Sequence, residues 1–396
     1  MRASWVEAAL IFSGAVVGWY TTRRWRISGA QAAPRAPTSD YLAGLNYLVN
    51  EQPDRAVEAF LRAVAADSDT VETHFALGAL FRRRGEVDRA IRIHQNLIGR
   101  AELTPSYREQ ASYALAKDYL GAGLYDRAEK LLLELSMAGS YRMAALRDLT
   151  QVYELEQDWV RAIEVHRELS RVANPSQPLA IAHYWCELAQ AALIAGDYAQ
   201  ARTHLKAAHS EQKRFARGAL LRADLAIVLN DTELALKLLR QVAVQQPALA
   251  SEVWPRLLRA LKTAGRSAEL STILLELADS GQVVADALAQ AAILTDEIDS
   301  PQLQKLVRDY VYREKLIGEI VAAFLPEGED IDVHALKRLC VAMRRQAQRA
   351  PRFRCSECGF SSTSFFWQCP GCKGWDSFEP LSPSEILAPA NQASRS

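Results

Sequence analysis

Neither sign of charge dominates this chain. Its 47 basic side chains balance 47 acidic ones, so no net field draws the whole molecule to nucleic acid or acidic lipid. Cysteine is scarce, six in 396 residues. Four of these sit in two tight pairs near the carboxy terminus, which speaks against a disulfide framework and for metal binding in a reducing compartment. The other two, Cys186 and Cys340, fall in apolar helical patterns, where a thiol acts as a small hydrophobe. No G-x-x-x-x-G-K-[ST] loop occurs, which excludes a phosphate cradle of that type. From Asp40 onward the patterns are helical, without strand-like alternation. What the chain does have is apolar character, 49% of residues, enough for two or three domains and a large core.

The first apolar block runs from Ala3 to Tyr20 (ASWVEAALIFSGAVVGWY). Only Glu7 and two serines interrupt it, and it reaches the minimum of about 17 residues that a helix needs to cross a bilayer. Trp5, Trp19 and Tyr20 bracket it at interfacial positions. Arg23, Arg24 and Arg26 follow, against Arg2 alone before it, so the positive-inside bias puts the rest of the chain in the cytoplasm. A cleaved signal peptide with its site at Ala30-Gln31-Ala32 is the rival reading. The arginines after the apolar run and the distance of that site from Tyr20 oppose it. The expected layout is an anchor with a basic flank over residues 1–27 and a Pro-containing linker over 28–37.

Internal repetition dominates the next segment. A tetratricopeptide repeat is a 34-residue helical hairpin with a large apolar residue on its first helix and an alanine on its second. Here the beat reads Tyr47–Ala56–Phe60, Phe81–Ala90–His94, Tyr119–Ala128–Leu132 and Tyr153–Ala162–His166. It continues as Ala192–Ala201–Leu205, Ala226–Ala235–Leu239 and, weakly, Leu261–Leu270–Leu274. Small residues at Gly44, Gly78, Ala116, Ala189 and Ala223 suit a close helix crossing, whereas Leu258 marks the seventh repeat as degenerate. Gly85, Gly123, Gly196, Asn230 and Gly265 suit the turn between helices, and Tyr125, Trp159 and Tyr198 can cover the hairpin ends. His94 and His166 read as hairpin packing. The run Arg82-Arg83-Arg84 reads as a solvated helix end, with a groove for an acidic peptide as the sharper alternative.

A solenoid with capping helices is therefore expected over 38–325, because no single hairpin can bury its own apolar face. Such solenoids bind protein ligands and carry no catalytic apparatus of their own, so no catalytic residue and no enzyme activity is assigned. A connecting helix is expected over 326–351, with acids at its start and arginines at its end, and a tail over 381–396.

Between them, residues 352–380 hold Cys355-x2-Cys358 and Cys369-x2-Cys372. Each pair makes a turn that points two thiolates inward, and together they form a closed tetrahedral four-sulfur site for one metal ion, iron or zinc. Gly359 suits the left-handed backbone of the first turn, and Pro370 and Gly371 shape the second. Phe353, Phe360, Phe365, Phe366, Trp367, Trp375 and Phe378 exceed what so small a domain can bury, so several are expected to pack against the solenoid.

This order of modules, with Gly18-Trp19-Tyr20 and Arg23-Arg24 closing the anchor and four cysteines closing the chain, resembles the lipopolysaccharide assembly protein B family of Gram-negative bacteria. The resemblance covers nearly the whole chain. It implies an all-α tetratricopeptide-repeat superhelical solenoid with an N-terminal transmembrane helix and a C-terminal rubredoxin-like metal-binding ribbon. It further implies a single-pass inner-membrane adaptor facing the cytoplasm, which brings the lipid A deacetylase to a membrane-bound ATP-dependent metalloprotease and is linked to the lipopolysaccharide export machinery. The family's metal ligands fall on Cys355, Cys358, Cys369 and Cys372, with iron or zinc as the ion. Two departures stand out: Glu7 lies inside the span, and Lys373 stands where a glycine often follows the second pair, leaving Gly374 to make the turn. The ribbon alone is also similar to that of a bacterial DNA-repair ATPase. A nucleic-acid role therefore stands as one alternative, disfavoured by the missing phosphate loop and neutral charge, and nucleic acid is not an expected partner. Electron transfer through iron at the four thiolates is the other.

Overall fold

The computed structural model describes residues 39–281 apart from 51, 67–70 and 173–177, scattered helical positions between 283 and 309, and residues 351–381. The expected anchor, linker and connecting helix, most of the capping region and nearly all of the tail lie outside the described residues. Among the described residues no helix is long and apolar enough to cross a membrane.

The repeats are helical hairpins. They pair α1 (Ser39–Val49) with α2 (Pro53–Ala66), α3 (Val71–Arg83) with α4 (Val87–Ile98), and α5 (Pro105–Gly121) with α6 (Tyr125–Met137). Then come α7 (Arg142–Leu155) with α8 (Trp159–Val172), α9 (Pro178–Ile194) with α10 (Tyr198–Glu211), and α11 (Ala216–Val228) with α12 (Thr232–Gln245). The degenerate seventh repeat is α13 (Ala250–Thr263) with α14 (Leu270–Asp279).

One local device ends the first helix of all seven. The carbonyl of the leading residue in each beat (Tyr47, Phe81, Tyr119, Tyr153, Ala192, Ala226, Leu261) accepts the N–H five residues on, at 2.8–2.9 Å. This is the long bond of a Schellman cap, which needs a left-handed residue just before the donor. Glycine fills that place at 85, 123, 196 and 265, and Asn230 fills it with φ 60°. In the fourth repeat Gln157 does so with φ 58°, at a steric cost of about 1–2 kcal/mol for an L-residue. The residue that follows then starts the second helix: Asp158, Asp197 and Asp231 accept from the N–H of Arg161, Gln200 and Leu234, each such cap contributing about 1 kcal/mol.

The close crossing is equally concrete. A Cβ added at Gly44 would lie 2.6 Å from the Phe60 ring, and one at Gly78 would lie 2.5 Å from the His94 ring. Leu258, at the same place in the last repeat, packs partly buried against the neighbouring core.

The chain divides into two compact units, Met1–Ala145 and Leu146–Ser396. In the first, cores form around Phe60, Leu77, Phe81 and Ala90 and around Leu97, Leu103 and Ala111. In the second, the largest core runs from Leu220 to Leu288 with Trp254 and Leu257 fully buried. This unit also holds a three-stranded antiparallel sheet in the order β2–β1–β3: β1 Phe353–Cys355, β2 Ser361–Ser362 and β3 Phe378–Pro380. Otherwise the described elements are helical.

Candidate metal centre and its docking face

The two cysteine turns are built alike. In the first, the Cys355 N–H donates to the Phe360 carbonyl at 2.8 Å, and the Gly359 N–H donates back to the Cys355 carbonyl at 2.9 Å. In the second, the Cys369 N–H donates to the Gly374 carbonyl at 2.8 Å, and the Lys373 N–H donates back to the Cys369 carbonyl at 2.9 Å. The fifth residue of each turn is left-handed: Gly359 with φ 76° and Lys373 with φ 62°. This corrects the expectation that Gly374 makes the second turn. The turn counts from its first cysteine, so Lys373 takes the strained backbone. Gly374 lies under the Glu357 carboxylate, which a Cβ there would displace.

These turns bring the four sulfurs of Cys355, Cys358, Cys369 and Cys372 within 4.8 Å of one another. The Cys355–Cys372 and Cys358–Cys369 pairs are each 3.6 Å apart. A disulfide needs about 2.05 Å, whereas a tetrahedron of sulfurs about 2.3 Å from a zinc ion has edges of about 3.8 Å. The geometry therefore fits a metal ion and not a disulfide.

The thiols differ in proton affinity. Burial works against the Cys355 thiolate, but the Ser377 hydroxyl and the backbone amides of Cys358 and Glu357 bring its pKa down to about 6. Cys372 goes the other way. The Gly374 amide favours its thiolate, yet burial and hydrogen bonds to Cys355, Cys358 and Glu357 push it up to about 12. Four thiolates so close need a cation between them. With four protein sulfurs around one ion no coordination position is left open, so the centre can hold structure but offers no Lewis-acid face to a substrate.

The ribbon does not stand apart from the helices of its own unit. Trp375 stacks on His183, with centroids 4.4 Å apart and planes at 22°. It also meets Tyr184 and Trp159 edge-on at 5.9 and 6.4 Å. Its indole N–H donates to Glu154 at 3.2 Å, as does the Gln368 amide at 3.2 Å. Tyr184 donates to the same carboxylate at 2.6 Å. Asp376 lies 3.1 Å from the His183 ring. The Arg217 guanidinium lies 5.8 Å from both Trp367 and Trp375 while pairing with Glu187 at 2.7 Å. Phe365 and Trp367 complete the contact by packing on the Leu220–Leu288 core. Of the seven ribbon aromatics, Trp367, Trp375 and Phe365 thus reach the solenoid, whereas Phe353, Phe360, Phe366 and Phe378 pack among themselves and on Phe365.

Burial sets the ionisation at this face. His183 is fully buried, and desolvation holds its pKa below the usual histidine value against the pull of Asp376. Desolvation first, and Glu154 second, push the Tyr184 hydroxyl up. Glu154, His183 and Arg217 come from α7, α9 and α11, the first helices of three successive hairpins. None of the three was singled out by the sequence reading. The only available signal was polar residues on otherwise apolar first helices.

Other sequence expectations resolve as packing. His94 lies beneath Gly78 and pairs with Asp118 at 2.5 Å, and Arg82 pairs with the other oxygen of Asp118 at 2.6 Å. Arg84 pairs with Asp54 and Glu86. Two members of the arginine run thus make ion pairs within the protein, which fits the reading of a solvated helix end. His166 sits buried edge-on to Tyr184. Cys186 is buried, and desolvation pushes its thiol up to about 12, as a structural thiol requires.

Two sequence profiles agree with this architecture. The sequence profile described as "Rubredoxin metal binding domain" matches residues 353–380, and one described as "Tetratricopeptide repeat" matches 41–100. Among solved structures, the C-terminal part of a repeat-containing protein from Cytophaga hutchinsonii is similar with a TM-score of 0.38 and 14% identity, covering 69% of this chain and 95% of that one. Lipopolysaccharide assembly protein B of Haemophilus influenzae is 28% identical over 394 residues, 94% of this chain and 96% of that protein. The protein of the same name from Escherichia coli K12 is 33% identical over 375 residues, 93% of this chain and 95% of its own length. With repeats, cysteine ribbon and nearly full-length similarity in hand, the chain belongs to the lipopolysaccharide assembly protein B family.

Proposed function

We propose that this chain is a non-catalytic adaptor of lipopolysaccharide assembly. It is held in the inner membrane by residues 1–27, with its soluble part in the cytoplasm. It recruits the lipid A deacetylase to a membrane-bound ATP-dependent protease and links lipopolysaccharide synthesis to export. Cys355, Cys358, Cys369 and Cys372 bind one iron or zinc ion, which supplies folding free energy to the ribbon. The observation that carries the reading is the family membership over 93% of the chain. The docked ribbon supports it, because a closed four-sulfur centre seated on a peptide-binding type of scaffold suits assembly of proteins rather than turnover of a substrate.

Tethering raises the effective concentration of a client beside a membrane partner. Deleting residues 1–27 is therefore expected to leave the repeats folded but abolish regulation, so that deacetylase accumulates in cells, as read by immunoblot. Deacetylase levels equal to wild type in that strain would count against the adaptor reading.

A further inference from the structure

The second cysteine turn and helices α7, α8 and α9 enclose a cleft of about 450 Å3. From its lining, we infer that this cleft binds a short peptide segment that is apolar apart from a carboxylate; the inference rests on the adaptor reading and names the site a client would use. Leu169, Leu179 and Ala180 give the cleft an apolar floor. Two acids and two permanent cations also line it, so its formal charge is balanced; the acids and the cations differ in the partners they already hold. Glu154 is already engaged by Tyr184, Trp375 and Gln368. Glu357 lies against Cys372 and Gly374. The cations Arg147 and Lys373, by contrast, form no ion pair among the described residues.

Arg147 comes from α7 and Lys373 from the metal-binding turn, so each wall contributes one available cation. Arginine holds a carboxylate with two parallel hydrogen bonds, and the apolar floor accommodates aliphatic side chains beside it. Thr150 donates its hydroxyl to the Leu146 carbonyl, and its oxygen can still accept. A peptide N–H can use that acceptor and an acyl chain cannot, so the lining favours a peptide over a lipid. Because Lys373, Gly374 and Trp375 form one wall, the site exists only while the ribbon is folded and docked.

The test uses the full chain, metal-loaded and in detergent, with fluorescein-labelled Leu-Ala-Leu-Ala-Glu amide and its neutral counterpart ending in glutamine amide. Fluorescence anisotropy is expected to show at least about ten-fold weaker binding of the neutral peptide, since a charge-assisted pair is worth about 1.5–3 kcal/mol. Arg147→Gln and Lys373→Asn are each expected to weaken the acidic peptide about ten-fold, with metal content unchanged; asparagine tolerates the positive φ at 373. The peptide comparison needs only the wild-type chain and so decides even where a variant unfolds. Equal binding of the two peptides overturns the inference. So does displacement of the acidic peptide by phosphatidylglycerol added to the same detergent, if unlabelled peptide competes less well and the lipid effect is lost through the same two substitutions. In cells, a wild-type chain that does not lower deacetylase levels sinks the adaptor reading, whereas full regulation by the Arg147→Gln/Lys373→Asn double variant sinks the cleft alone.

Discussion

Gly78 shows how much a single position carries. Its missing side chain lets α3 lie on the His94 ring, and that ring is in turn held by Asp118 and Arg82. Gly78→Ala is expected to cost about 1–3 kcal/mol by overpacking, measured as a lower urea midpoint with unchanged slope; an unaltered midpoint would show that the ring moves freely. The need for a small residue here was legible from its regular place in the beat. Asp118 was not, because a buried acid shows no period along the chain. His183 makes the second residue-scale case. Its pKa is lowered by desolvation, and Arg217 adds to that lowering, while Asp376 and Glu187 oppose it. Unfolded histidine takes up a proton near pH 6.5 before folded His183 does, so the unfolded state binds more protons below that value and stability falls as pH falls. Between pH 7.5 and 5.5 the melting temperature of the wild type is expected to drop more than that of His183→Gln. Parallel curves for the two proteins would remove His183 from the account.

At the scale of elements, the repeats speak for themselves and the ribbon does not. Among the described residues, six hairpins carry a left-handed residue at the turn, and in three of them an aspartate caps the second helix directly after it. Gln157 is the exception: nothing in its side chain announces a left-handed turn, and the flanking Tyr153 carbonyl and Asp158 cap impose it. The ribbon's strands are only two or three residues long, too short for an alternating pattern to emerge, and their pairing follows from the cysteine turns they flank. Docking of the ribbon is also an element-scale property, with Trp375 at its centre. Trp375→Ala removes the stack on His183 and the hydrogen bond to Glu154 and is expected to cost about 3 kcal/mol. Hydrogen exchange should rise in residues 353–380 and in α7, α9 and α11 together. Faster exchange in the ribbon alone would mean that the helices do not depend on it.

For the whole molecule, the metal and the docking face form one system. A four-sulfur domain of about thirty residues has too little core to fold unaided, so the ion and the solenoid contacts share its stabilisation. Removing the ion with a chelator is expected to make the ribbon protease-sensitive and to expose the Trp375 and Trp367 sites, while helices α1 to α6 keep their exchange protection. Cys355→Ser should behave likewise with metal present. Wild-type protease resistance in either case would show that packing alone holds the ribbon.

The amino-acid sequence by itself determined the seven hairpins, most of their turns and the four sulfur ligands, because each depends on contacts between residues at most about one repeat apart, where spacing along the chain translates directly into geometry. Only the tertiary structure decided which helices receive the ribbon, that Glu154 and Trp375 meet across 221 residues, and that the arginines near His94 are neutralised from within. Contacts over such separations are selected by shape, burial and the pairing of desolvated charges after the elements have formed, and they leave no period in the chain.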